Sequence, residues 1–182
     1  MNALKQMSIR AVGADGFGLS VSFVRHHDRY AHTIAAVDGQ LQTPLLASSE
    51  GTDQQDWPPS PPLQQLNIEA RAAGDVALLI GIAGKSHWSL SVEAIRETAT
   101  LVFDVACRCA RTPERLGSVY RANIVPSPSG HLLIHGRECT IRADEQLAAR
   151  LTIDDNQLIL APSTLDTAAP ATVRWKYSVS IR

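Results

Sequence analysis

The chain has 182 residues, a formal net charge of −1, 45% hydrophobic residues and 19% charged ones. Such values exclude a disordered chain and fit one globular domain, residues 1–182, in which folding hides roughly 70% of the unfolded surface without disulfides or metal. The near-neutral charge also argues against a nucleic-acid or membrane-surface partner, because affinity for either rests on neutralising phosphates.

The N-terminal residues Met1-Asn2-Ala3-Leu4-Lys5 lead into no apolar core of signal-peptide length, and no run reaches the roughly 20 apolar residues of a membrane span. The expectation is a soluble, cytoplasmic protein. Fourteen of the seventeen basic residues are arginine, which suits planar anion recognition but equally follows from a bacterial-like coding bias that also supplies the many alanines. The three cysteines form an odd set, Cys107 and Cys109 in Cys-x-Cys and Cys139 alone. Adjacent sites on one strand face do not favour a disulfide, so reduced, buried thiols are expected.

In chain order, Leu19 to Phe23 alternates apolar and polar residues, His26-His27-Asp28-Arg29 interrupts, and Tyr30 to Val37 resumes before Asp38-Gly39. That pattern predicts a hairpin followed by a second tight turn. Residues 40–62 read as a long Pro-rich loop, containing Pro44, the acidic group Glu50, Asp53 and Asp56, and Trp57-Pro58-Pro59-Ser60-Pro61-Pro62. Its prolines cannot donate to a sheet ladder, and long loops in compact domains are disproportionately functional. Within it Gly51 to Pro62 is expected to be exposed and to offer Trp57 as a contact surface, the alternative being a rigid loop whose Trp57 caps the core.

Leu63 to Ala73 could form a helix capped by Ser60, but the alternation of Leu66, Ile68 and Ala70 before Gly74-Asp75 favours a strand paired with Val76 to Ala83. Trp88, Leu90 and Val92 then alternate with His87, Ser89, Ser91 and Glu93, and Leu101, Phe103, Val105 and Cys107 with Val102, Asp104, Ala106 and Arg108. Period two is the mark of strands, whose successive side chains point to opposite faces. Further strands are expected at Leu116 to Ile124, His131 to His135, Glu138 to Arg142, Arg150 to Ile153, Gln157 to Leu160 and Val173 to Ile181, with one or two helical turns at Asp144 to Arg150. About ten to twelve short antiparallel strands with little helix make an all-β fold, a β-sandwich or flattened barrel.

A turn centred between Arg96 and Glu97 would set Val92 opposite Leu101, Leu90 opposite Phe103 and Trp88 opposite Val105, making Trp88 and Phe103 core residues. The same register puts Ser89 opposite Asp104, His87 opposite Ala106 and Lys85 opposite Arg108 on the other face. A two-residue turn at Gly84-Lys85 adds Val76, Leu78, Ile80 and Ile82 to that face, and an apolar wall with a few convergent polar groups is how small-molecule pockets are built. The candidate ligand-binding residues are therefore Lys85, His87, Ser89, Asp104 and Arg108, with Trp57 from the loop. Asp104 is expected to pair with Lys85 or Arg108.

No reaction-specific motif is present. A Ser89-His87-Asp104 triad lacks the sharp turn and paired backbone donors that stabilise an oxyanion. Gly84-Lys85-Ser86 resembles the end of a P-loop, yet Leu79 stands where the first glycine belongs and no helix follows. His26, His27 and His32 flank one hairpin and His131 and His135 are expected on one strand face, without an HExxH helix or cysteine knuckle. Arg108, Arg111, Arg115 and Arg121 could hold a carboxylate or phosphate, or bridge to Glu114 and Asp104.

The sequence thus points to a non-catalytic domain binding a small polar or anionic ligand or a protein, with no catalytic residue, metal or cofactor assigned. The alternatives are a metal-dependent or hydrolytic enzyme using His87, Asp104 and the nearby histidines, and a structural subunit hiding an apolar sheet face in a homodimer.

Overall fold

The structure is a computed structural model that describes residues 6–147, 149–165 and 168–182. Among these residues fourteen strands form two antiparallel sheets of seven, an all-β sandwich. In chain order they are β1 (Met7–Val12), β2 (Phe17–His26), β3 (Arg29–Asp38), β4 (Leu41–Ser48), β5 (Gln65–Glu69), β6 (Val76–Ala83), β7 (Ser86–Ile95), β8 (Thr100–Cys109), β9 (Ser118–Ala122), β10 (His131–Ile134), β11 (Arg137–Ala143), β12 (Ala149–Asp154), β13 (Gln157–Pro162) and β14 (Ala171–Ile181). The first sheet runs β1-β2-β3-β4-β9-β13-β12 and the second β10-β11-β14-β8-β7-β6-β5. Among the described residues helix is confined to a 3-10 turn, Glu145–Leu147, and no helix is long and apolar enough to cross a membrane.

Two strands exceed the expected ten to twelve. In β1 only Ile9 and Ala11 face the core, a pattern too short to stand out. The other, β4, occupies the first half of what reads as a loop over residues 40–62, so the irregular segment begins after Ser48. Pro44 is tolerated there because the β3 ladder shifts register beside its partner Ala35, and because β9 joins β4 only from Leu46 onward. The missing N–H thus falls on a bulged, open edge.

The β7–β8 pairing confirms the faces but not the register. Ile95 pairs with Thr100 across a four-residue loop, so Val92 faces Phe103, Leu90 faces Val105 and Trp88 faces Cys107. A two-residue turn at Arg96-Glu97 would need positive φ at residues that disfavour it. Instead Ala99 takes the left-handed conformation at φ 45° and its N–H donates to Arg96 O. Moving the turn centre by one residue shifts every pair by two, which leaves each side chain on its expected face.

Trp88 and Phe103 are core residues, 2% and 0% exposed. Trp88 meets Trp57 and Trp175 edge-on, with ring centroids 6.4 and 6.2 Å apart, while Phe103 stacks on Tyr177 at 4.8 Å. The crossing segment between β4 and β5 exposes Thr52 to Asp56 but buries Trp57 at 5% exposure. Trp57 therefore plugs one end of the sandwich and offers no free aromatic surface, which corrects its expected role as a contact or ligand-binding residue and matches the core-capping alternative. Pro62 then passes so closely over β6 that a Cβ on Gly81 would lie 1.7 Å from Pro62 O, so only glycine fits there. The three cysteines are free and buried; Cys107 and Cys109 share the inner face with their sulfurs 3.6 Å apart.

Candidate functional site

On the outer face of the second sheet the pairings of β6, β7, β8 and β14 align residues into rows. One row is Ile82, His87, Arg108, Thr172; the next is Ile80, Ser89, Ala106, Arg174; the third is Leu78, Ser91, Asp104, Lys176. Neighbours within a row lie about 4.8 Å apart, and rows about 6.6 Å apart along the strands. The first row and Ile80, Ser89 and Ala106 of the second, with Gln64 and Gln65, line a groove of about 360 Å³. Its apolar wall is Ile80 and Ile82, 53% and 47% exposed, and its floor is the small pair Ser89 and Ala106. The wall is fixed in place by Gln64, whose side-chain amide donates to Ile82 O at 3.1 Å and accepts from Ile82 N at 3.0 Å. That amide extends the β5–β6 ladder by a side chain.

Of the residues named from sequence, His87, Ser89 and Arg108 come together in this groove. Asp104 does not join them. It sits two rows from His87, roughly 13 Å along the strands, and its partner is Arg174 of β14, whose Nε donates to Oδ1 at 2.6 Å and whose Nη2 donates to Oδ2. The expected pairing with Lys85 or Arg108 is thus corrected: β14 inserts beside β8, and Arg174 lies diagonally across from Asp104. Lys85 occupies the exposed β6–β7 turn and lines a separate hollow of about 620 Å³ with Asp56, Trp57 and Arg111. It does not stand opposite Arg108; His87 does. A Ser89-His87-Asp104 relay is not assembled.

The arginines diverge as well. Arg111 reaches Asp56 at 2.5 Å and lies over the Trp57 ring, and Arg115 Nε donates to Trp57 O at 2.7 Å. Both fasten the plug. Among the described residues no carboxylate lies within 4 Å of Arg108. The histidines are dispersed. His131 Nδ1 contacts Glu138 Oε1 at 2.6 Å, whereas His135 lies beyond the strand in the β10–β11 turn with φ 51° and reaches Thr43. His32 is buried. Among the described residues no three histidine, cysteine or carboxylate side chains gather as a metal site.

A polar cluster missed by sequence reasoning joins His32, Tyr120 and Tyr177, buried inside the sandwich, to the half-buried Ser48 and Glu50. His32 Nε2 is 2.8 Å from Tyr120 Oη, which is 2.5 Å from Tyr177 Oη. The His32 backbone N–H donates to Ser48 Oγ at 2.8 Å, and Ser48 Oγ–H donates to Glu50 Oε1 at 2.5 Å. Burial pulls the His32 imidazole down to about 4. Burial also pushes the Glu50 carboxyl up to about 7, against the opposing pull of the Ser48 hydrogen bond and the Arg29 charge. Only alternation could have hinted at this cluster, since His32 occupies an inward position between Tyr30 and Ile34. No local pattern marks Tyr120 or Tyr177 as its partners.

No protein-family model matches the chain, and no curated protein sequence or solved structure is significantly similar to it. Function must be argued from the residues themselves.

Proposed function

We propose that this protein is a non-catalytic binding domain and that the outer face of its second sheet, across β6, β7 and β8, holds a small polar or anionic ligand. One observation carries the reading: two half-exposed isoleucines stand beside His87 and Arg108 around a groove of about 360 Å³, within the size range of small-molecule sites. An apolar wall supplies area, while a few fixed polar groups orient the guest. Ser89 lies flat on a strand and, among the described residues, makes no hydrogen bond to His87, which fits binding better than catalysis.

The reading is tested by screening small organic fragments against the isotopically labelled chain and mapping the perturbed backbone amides. Shifts gathered on Ile80, Ile82, His87, Ser89 and Arg108 are expected. Shifts confined to the Lys85–Trp57 hollow would move the site to the plugged end. A dimer in solution whose mass falls to that of a monomer on Ile82→Asp would instead assign the isoleucine wall to a contact between copies.

A further inference from the structure

Resting on that reading of the face, we infer that the ligand is an amphipathic monoanion, a carboxylate carrying an unbranched apolar chain. The inference comes from how charge and apolar surface are separated across the groove. Along the first row Ile82 lies at one end and Arg108 two strands away, about 10 Å at the strand spacing, which suits an extended chain of about six to eight carbons. His87 stands between Ile82 and Arg108 in that row, but beside it the next row runs from Ile80 over Ser89 and Ala106, whose short side chains leave a low floor leading diagonally to Arg108. The guest can therefore lie across the strands with its tail on the isoleucines.

Among the described residues no carboxylate pairs with the charge at the far end. Asp104, the nearest carboxylate on β8, is already engaged by Arg174 through two hydrogen bonds, so it does not neutralise Arg108. Thr172 stands beside Arg108 in the same row and adds a hydroxyl donor. A guanidinium fork with an adjacent hydroxyl matches the two oxygens of a carboxylate. Among the described residues Arg108 is the one arginine or lysine lining the groove, which favours a monoanion over a polyphosphate that would need several.

Titration of the labelled full chain with octanoate, octanamide and acetate tests this directly. Octanoate should shift the amides of Ile80, Ile82, His87 and Arg108, with octanamide and acetate each at least about tenfold weaker, because one lacks the charge and the other the tail. Arg108→Gln should erase the preference for octanoate over octanamide, and Ile82→Ser the preference over acetate. Both positions are exposed, and unchanged amide dispersion elsewhere will show that each variant is folded. If acetate or octanamide binds this face as well as octanoate does, the ligand class is wrong while the binding face stands. If none of the three shifts any residue of the face, the ligand class and the binding face fall together.

Discussion

On β7 the inner face carries Trp88, Leu90, Val92 and Ala94, none more than 3% exposed, while the outer face carries His87, Ser89, Ser91 and Glu93. On β8 the same division separates Leu101, Phe103, Val105 and Cys107 from Val102, Asp104, Ala106 and Arg108. One alternating pattern thus does two jobs. Inner positions are fixed by packing against the other sheet, so they report on the fold. Outer positions are relieved of that duty, so the two isoleucines left exposed beside them on β6 call for a separate explanation.

The largest effects should come from the inner face. Trp88→Ala or Phe103→Ala is expected to cost about 3–5 kcal/mol in denaturant unfolding, because each leaves a cavity in a closely packed aromatic cluster. A loss below about 1 kcal/mol at Phe103 would break the contrast between the faces.

A second test asks whether His32 on the inner face of the first sheet and the half-buried Glu50 just beyond β4 are kept neutral. The folded chain holds the Glu50 proton up to about pH 7, whereas an unfolded carboxyl releases it near 4.5, so this group makes stability fall as pH rises between those values. His32 acts in the opposite sense. Unfolded, it binds a proton below about 6.5 that the buried ring refuses down to about 4, so its contribution is lost as pH falls through that window. Each spans on the order of 3 kcal/mol, and the two slopes oppose where the windows overlap. Unfolding free energy from urea titration should therefore be nearly flat from pH 4.5 to 6.5. Glu50→Gln should unmask a rise with pH across this range and His32→Gln a fall. Identical profiles in all three proteins would show that neither group is buried as described.

Gly81→Ala should cost on the order of 1–3 kcal/mol, since the added methyl meets the Pro62 carbonyl and the crossing segment must shift. Hydrogen exchange at Gln64 and Ile82 will show whether the groove wall loosens with it. The smallest effect belongs to the outer face: Asp104→Ala removes an ion pair whose arginine side chain is 54% exposed, worth about 0–1 kcal/mol and reduced by salt. A loss several times larger would mean that the outer face also carries the fold.

Strand identity and face were legible along most of the chain because the two-residue period of a half-buried strand is a local property, set by which side chains avoid water. The Gly84-Lys85 turn likewise set Ile82 opposite His87, since a two-residue hairpin with glycine at positive φ leaves no freedom of register. What the tertiary structure alone decided lies wherever distant segments meet. Arg96-Glu97-Thr98-Ala99 could close at more than one loop length, and the packing of the paired strands chose the longer. Asp104 found Arg174, 70 residues away, because β14 inserts next to β8. Trp57 reads as an exposed loop aromatic, yet an indole beside Trp88 and a plug held by Arg111 and Arg115 give it a buried place. His32, Tyr120 and Tyr177 come from three strands in two sheets, and their hydrogen bonds exist only once those sheets close on each other. Local alternation determined which side of each strand faces the core; long-range pairing determined which residues share a site.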